Sequence, residues 1–305
     1  DFERQVTDAG MVFVGPRAEL LMLLGDKARA RALAARCDVP ILPGTDEPVT
    51  LAAARAALAT HGAILLKAVA GGGGRGLRVV TDPAALDDAF ARCTSEARAA
   101  FGNGDLYVER LLPRARHLEV QVAGDGSGAV VHLGERECTL QRRHQKLVEI
   151  APSPWLAPEL RARLVDAALR MAREVRYENL GTFEFLVDRA GAFYFIEANP
   201  RLQVEHTVTE EVTGIDLVRT QLRLAAGATL AEVGLATPPV VHGLAVQLRI
   251  NVETMAPDGS VSPSGGTLAA FEPPSGPGVR TDTLGFAGYT PNPRYDSLLA
   301  KVIVR

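Results

Sequence analysis

Cysteine is scarce. Cys37, Cys93 and Cys138 are the three in 305 residues, an odd number at wide spacing with no CxxC pair. That excludes a disulfide-stapled small fold and argues against a structural zinc site. Reduced thiols fit a cytosol-like compartment, so the expected location is cytoplasmic. Long apolar runs are also missing. None approaches the ~20 residues a membrane helix needs, and no signal-peptide pattern opens the sequence. Charge of one sign is not in excess: the net charge is −3, which disfavours a general nucleic-acid binder. No repeat with a period of about 20–50 residues occurs.

What is present is ordinary for a soluble globular protein, with 47% hydrophobic and 23% charged residues. The length suits about two domains, or one large domain with an inserted lobe. The sequence opens at Asp1 and closes at Arg305, one residue past the apolar run Val302-Ile303-Val304. That run reads as a strand with no partner following it, so a segment of a longer polypeptide is expected.

Helical spacing of Leu20, Leu21, Leu24, Ala28 and Leu33 marks 16–36. Pro40, Pro43, Gly44 and Pro48 then suggest a hinge into a lobe. Within that lobe Thr50 caps a helix to about His61. Strands follow at 63–69 and 77–81, a helix at 82–101, and a strand at 106–112 leads out. Beyond it the chain is strand-rich. Gly124-Asp125-Gly126-Ser127-Gly128 joins a hairpin of 118–123 and 129–133. Helices are expected at 158–176 and 216–226, a second hairpin at 182–187 and 192–198, and a strand at 244–251.

Gly71, Gly73 and Gly76 fit GxGxxG, a weak match alone. A dinucleotide-binding version needs a helix directly after the glycines, and Leu77-Arg78-Val79-Val80 reads as a strand. A P-loop needs Gly-Lys-Ser/Thr, and Gly74 is followed by Arg75-Gly76. What remains is a glycine turn between antiparallel strands, whose backbone N–H groups could close over phosphates; a loop without a ligand is the alternative. Lys67 favours the ligand, because it sits in an apolar strand where a charge is costly unless paired or facing one.

A turn centred on Ala190-Gly191 places Glu184 opposite Glu197, with Cβ atoms about 5 Å apart. Like charges so placed repel. A divalent cation between them reverses the sign, and hard oxygens suit Mg²⁺ or Mn²⁺. Two exposed glutamates are the alternative, disfavoured by the apolar flanks. Such a register puts both acids on one face, opposite Phe183, Phe185, Tyr194 and Ile196. The polar pattern continues with period two through Asn199, Arg201, Gln203 and Glu205, so an extended segment would carry all five on one side. Gln141-Arg142-Arg143-His144-Gln145-Lys146 is the densest basic stretch. Without interleaved aromatics it suits a buried small anion better than nucleic acid; a solvated loop is the alternative. Lys27, His117 and Arg249 are isolated, and each alone reads as structural.

Together these segments resemble biotin carboxylase, an ATP-grasp enzyme. The carriers are Leu66-Lys67 with 70–76, the run 141–146, Gly181-Thr182-Phe183-Glu184-Phe185, the run 195–206, and Leu248-Arg249-Ile250-Asn251. The resemblance covers essentially the whole chain. Its most specific parts are Asn-x-Arg-x-Gln-Val-Glu-His and Gln-Arg-Arg-His-Gln-Lys.

The resemblance implies an α+β ATP-grasp fold with a small inserted lid lobe and a strand-rich C-terminal lobe. The bounds would be 1–45 for an N-terminal remnant and linker helix, 46–112 for the lid, and 113–305 for the C-terminal lobe with the start of a further subdomain. It implies ATP-dependent carboxylation of biotin by bicarbonate through carboxyphosphate, with Mg²⁺ or Mn²⁺. Lys27, Lys67 and the loop residues Gly72, Gly73 and Gly74 would hold ATP phosphates. Glu109 and Leu111 would meet the adenine, and His117, Gln141 and His144 would complete the nucleotide site. Glu184, Glu197 and Asn199 would bind the metal. Lys146, Arg201, Gln203 and Val204 would hold bicarbonate. Glu205 would be the base, and Arg249 would stabilise the biotin enolate.

The family's N-terminal subdomain is absent, so this fragment could be inactive alone. Val252-Glu253-Thr254 stands where Ala-Glu-Asp is common, and Pro263-Ser264-Gly265-Gly266 where Pro-Ser-Pro-Gly is. These departures resemble large single-chain acyl-CoA carboxylases. No Met-Lys-Met motif occurs, so a biotinyl carrier domain and a carboxyltransferase domain, on the same or a partner chain, are implied, in a homo-oligomeric parent. No membrane or nucleic-acid partner is expected. Two alternatives stand: another ATP-grasp ligase such as a carbamoyl-phosphate synthetase half, and a nucleotide-binding module that turns nothing over.

Overall fold

The computed structural model describes residues 2–45, 47–70 and 76–305. Of the glycine loop, Gly71, Gly72, Gly73 and Gly74 lie outside the described residues and Gly76 lies within them.

Three helices open the chain: α1 (Phe2–Asp8), α2 (Ala18–Gly25) and α3 (Lys27–Arg36). The single helical stretch expected at 16–36 is two, because Asp26 breaks the first and caps the second by accepting from the Arg29 N–H. α4 (Leu51–His61) starts where Thr50 accepts from the Ala53 N–H. β1 (Ile64–Ala68), β2 (Leu77–Val80), α5 (Leu86–Phe101) and β3 (Leu106–Arg110) complete a small unit. Its sheet has the order β2-β1-β3. Leu58, Ile64, Leu66, Leu86 and Val108 are buried in a core of its own.

The chain continues with β4 (Arg116–Asp125), β5 (Val130–Arg142), β6 (Gln145–Ala151), α6 (Pro158–Glu174), β7 (Glu178–Val187) and β8 (Phe193–Asn199). Then come α7 (His206–Thr213), α8 (Leu217–Ala225), β9 (Ala245–Asn251), β10 (Glu253–Met255), β11 (Val261–Pro263), β12 (Val279–Thr283) and β13 (Leu298–Val304). One eight-stranded sheet runs β12-β13-β9-β6-β5-β4-β7-β8. The terminal apolar run is therefore paired on both sides by strands that precede it, β9 and β12.

The pleat of this sheet separates core from site. On β4, Leu118, Val120 and Val122 pack with Leu164, Ala168 and Met171 of α6. His117, Glu119 and Gln121 alternate with them and face the other way. This is the mixed α+β layout expected from the sequence, a small lobe set beside a larger strand-rich one. Cys37, Cys93 and Cys138 are all free thiols. No described helix is long and apolar enough to cross a membrane.

The β7–β8 hairpin departs from the simple register in an instructive way. The turn is three residues, with Gly191 at φ 80, a left-handed conformation that costs glycine least. Asp188 closes it through its N–H to the Ala192 carbonyl at 2.9 Å. Near the turn Phe185 pairs with Phe195, yet Glu184 pairs with Glu197. Ile196 is the extra residue of a bulge. The two glutamates are direct cross-strand partners as expected, but the core side of β8 is not. Phe193 and Phe195 pack against Phe185 with ring centroids 5.7 and 6.0 Å away, in place of Tyr194 and Ile196. The bulge shifts the pleat by one residue and exchanges the faces.

Candidate active site

A cavity of about 1420 Å³ lies between the small unit and the large sheet. Every described candidate residue from the sequence lines it, from Lys27 and Lys67 to Glu205 and Arg249.

The polar row does not stay extended. Pro200 has no N–H to give a ladder, and β8 ends at Asn199. Arg201 lies in a bend, and Val204 and Glu205 lie in a turn. The expectation of one straight row is thus corrected. The turn still folds Gln203 and Glu205 back over the sheet. Gln203 Nε2 donates to Glu184 Oε1 at 2.8 Å. Arg201 is exposed and donates to Asn199 Oδ1 at 3.2 Å.

Lys146 is the centre of the site. Its Nζ donates to Glu119 at 2.6 Å, Glu205 at 2.7 Å and Glu184 at 3.2 Å. Burial opposes its charge, but these acids override it and hold its pKa well above the usual lysine value. Burial likewise pushes Glu184 up, while Lys146 and then His117 pull harder and hold it far below the usual carboxylate range. Glu119 is lowered in the same way, with Lys146 and Arg136 outweighing its burial. His117 Nε2 lies 2.5 Å from Glu184, and Gln141 Nε2 donates to the other ring nitrogen at 2.8 Å. This tautomer leaves the imidazole proton facing Glu184. Burial, reinforced by Lys67, lowers the pKa of His144.

Asn199 Nδ2 sits 2.7 Å from Glu184 Oε1 and 3.4 Å from Glu197 Oε1. One point is therefore within reach of both carboxylates, and a turn of the amide would bring Oδ1 to it. With the amide so turned, two carboxylates and an amide oxygen would meet there, a hard donor set that suits Mg²⁺ or Mn²⁺.

At the other end, Lys67 Nζ pairs with Glu109 at 2.8 Å, and Arg31 holds the second oxygen of Glu109 at 2.9 Å. The Glu109 carboxylate is thus engaged by two cations at the lobe exit. The Leu111 N–H donates to the Ala63 carbonyl at 3.1 Å. Lys27 begins α3, 4.0 Å from Glu197. Burial lowers its pKa.

Glu119, Arg136, Glu149 and Lys301 were not singled out in the sequence. The signal was there for Glu119: His117, Glu119 and Gln121 alternate within an apolar strand, the pattern that marked the Glu197 row. Lys301 stands in an apolar run, as Lys67 does. Its Nζ donates to the Val204 carbonyl at 3.0 Å and steadies the Glu205 turn from below.

Known proteins match the chain over nearly its whole length. Residues 26–233 match the carbamoyl-phosphate synthase L chain ATP binding domain, and 247–305 the biotin carboxylase C-terminal domain. A biotin carboxylase from Campylobacter jejuni, solved as a β,γ-ATP complex, is 40% identical with a TM-score of 0.92, over 99% of this chain and 67% of that one. The chain belongs to the biotin carboxylase family. It is a biotin carboxylase-type ATP-grasp ligase domain, and Arg249 lies at the start of the matched biotin carboxylase C-terminal segment. The biotin carboxylase domain dimer of Hydrogenobacter thermophilus 2-oxoglutarate carboxylase, solved with MgADP, ADP and bicarbonate, is 42% identical with a TM-score of 0.93, over 99% and 66%. A pyruvate carboxylase of Aspergillus niger is 52% identical over 309 residues. The chain spans 26% of that enzyme's length.

Proposed function

We propose that this chain carboxylates carrier-bound biotin with ATP and bicarbonate, as the first half-reaction of a larger carboxylase. One observation carries the reading. The Glu205 carboxylate takes Lys146 on one oxygen and Arg249, at 3.0 Å, on the other. A base set between an anion-binding ammonium and a guanidinium from a different strand can serve two successive proton removals.

In this reading Lys27, Lys67 and Gly72, Gly73 and Gly74 hold ATP phosphates. Glu109 and Leu111 flank the adenine, with His117, Gln141 and His144 completing the pocket. Glu184, Glu197 and Asn199 hold Mg²⁺, which when bound offsets charge on the transferring phosphoryl group. Lys146, Arg201, Gln203 and the Val204 backbone hold bicarbonate and the carboxyphosphate made from it. Glu205 accepts the bicarbonate proton, which turns a poor nucleophile into a better one. Carboxyphosphate then breaks to CO2 and phosphate, the phosphate takes the proton from Glu205, and the freed carboxylate accepts the biotin N–H proton while Arg249 offsets the charge developing on the urea oxygen. Residues 46–112 serve as the lid, supported by the separate core of that unit, with 1–45 as remnant and linker and 113–305 as the main lobe.

The carrier and carboxyltransferase lie elsewhere on a longer chain or on a partner, consistent with the 26% span, and the parent works as a homo-oligomer. Its compartment is reducing and cytoplasm-like, in keeping with three free thiols. We place the acceptor among 2-oxo acids such as pyruvate, on the 52% identity to the Aspergillus enzyme. The acyl-CoA subgroup, for which Val252-Glu253-Thr254 and Pro263-Ser264-Gly265-Gly266 speak, is the weaker reading. Carboxylation of pyruvate against acyl-CoA by the parent decides between them.

The primary test is ATP cleavage with bicarbonate and biotin, against ammonia. Cleavage that needs ammonia and ignores biotin would sink the proposal. ATP binding without ADP release would identify a nucleotide-binding module only. Glu197→Gln, on a side chain 35% exposed, should leave the fold intact and weaken Mg²⁺ at least ~10-fold. Magnesium titration of ATP cleavage reads this, and an unchanged midpoint would remove Glu197 from the metal site. Arg249→Ala should leave bicarbonate-dependent ATP cleavage largely intact. Carboxybiotin formation should fall about a hundredfold, the scale of one preorganised oxyanion donor. Equal loss of both activities would reassign Arg249 to bicarbonate or ATP.

A further inference from the structure

Glu149 is an acid that the reaction above leaves without a task. It lies on β6 and is fully buried. Its cross-strand partner on β9 is Gln247, and Arg249 follows two residues later on the same face. One Glu149 oxygen accepts from Arg249 Nε at 2.6 Å. The other accepts from Gln247 Nε2 at 2.9 Å. Gln247 Oε1 accepts from the Thr207 hydroxyl, and Thr207 is two residues past Glu205. Arg249 Nη2 returns to Glu205 Oε2 at 3.0 Å. The contacts form a closed ring: Glu205, Arg249, Glu149, Gln247, Thr207, and back along the chain.

A guanidinium is planar, so two fixed N–H groups fix the whole plate. Glu205 alone would leave Arg249 free to pivot about a single contact. It would also let the cation close fully over the carboxylate that must accept protons. Glu149 draws Nε the other way, into the sheet, and its countercharge offsets part of the pull toward Glu205.

We propose that Glu149 is a positioning residue for Arg249, holding the guanidinium plane that meets biotin and keeping it from collapsing onto Glu205. The proposal rests on the reading of Arg249 as acting in the second half-reaction. The competing view is that Glu149 merely joins β6 to β9.

The test compares bicarbonate-dependent ATP cleavage with carboxybiotin formation in the parent enzyme, its Glu149→Gln, Glu149→Asp and Arg249→Ala variants, and the Glu149→Gln/Arg249→Ala double variant. Glu149→Gln should lower carboxybiotin formation by about tenfold, within the range that a misplaced catalytic group costs. ATP cleavage should stay within about twofold. Glu149→Asp keeps the charge, withdrawn by one methylene, and should show the same selective loss to a smaller degree, which keeps the proposal testable if Glu149→Gln does not fold. The double variant should lose no more carboxybiotin formation than Arg249→Ala alone, because a residue acting through another adds nothing once that partner is gone. Parallel loss of both activities, additive loss in the double variant, or no loss in either Glu149 variant overturns the proposal. If Arg249→Ala itself lowers both activities equally, the role of Arg249 is what fails. The double variant then still reports whether Glu149 acts through it.

Discussion

Glu205→Gln is expected to abolish bicarbonate-dependent ATP cleavage and carboxybiotin formation together. Glu205 is 2% exposed, with one oxygen on Lys146 at 2.7 Å and the other on Arg249 at 3.0 Å. Glutamine keeps the shape but cannot take up a proton. Its amide nitrogen would also meet a cation on whichever side it turned. A lost general base costs about 10²–10⁴-fold, and both proton removals are assigned to this one group. Nucleotide binding should survive, because the cations on the nucleotide side pair with other acids, Lys67 with Glu109 at 2.8 Å and Lys27 with Glu197 at 4.0 Å. The measurement is ADP release with and without bicarbonate, paired with carboxybiotin yield. Retention of bicarbonate-dependent cleavage in a folded variant would place the first proton acceptor elsewhere.

The largest effect on stability is expected from Arg136→Met. Arg136 is fully buried and donates to Glu119 at 2.5 Å, Gln121 at 2.8 Å, Thr209 at 2.9 Å and Thr182 at 3.3 Å. It therefore ties β5 to β4, β7 and α7 beneath the site. Removing one partner of a buried ion pair costs about 3–5 kcal/mol, because the other is left uncompensated. Here Glu119 would keep Lys146 alone, and Gln121 and Thr209 would each lose a donor. Adding Glu119→Gln to Arg136→Met should recover part of the loss, since the uncompensated acid is then gone. Urea or thermal unfolding reads the change. A midpoint close to the parent's would show that the guanidinium is replaceable by packing alone.

Some of this site lies open in the sequence because strand periodicity is local. A two-residue repeat needs only the pleat, so Glu184, Glu197 and Asn199 stand out in an apolar setting, as does Lys67. The bulge at Ile196 did not show, because an extra residue is tolerated wherever both registers bury aromatics. Phe193 and Phe195 won the core over Tyr194 and Ile196 through packing against Phe183 and Phe185. Nor did the row from Glu197 to Glu205 stay straight, since Pro200 ends the strand.

The sequence by itself determined the class of chemistry. Carboxylates and an amide at strand spacing, a basic run, a glycine turn and the Arg249 strand together specify metal, anion and phosphate groups in one chain. Only the tertiary structure decided which of them touch. Lys146 meets Glu119, Glu184 and Glu205, and Glu149 meets Arg249, across separations of up to a hundred residues. Such pairs depend on the order of strands in the sheet and on the turn after Asn199. Those are set by which faces can be buried together, a property of the whole fold that no local pattern of residues encodes.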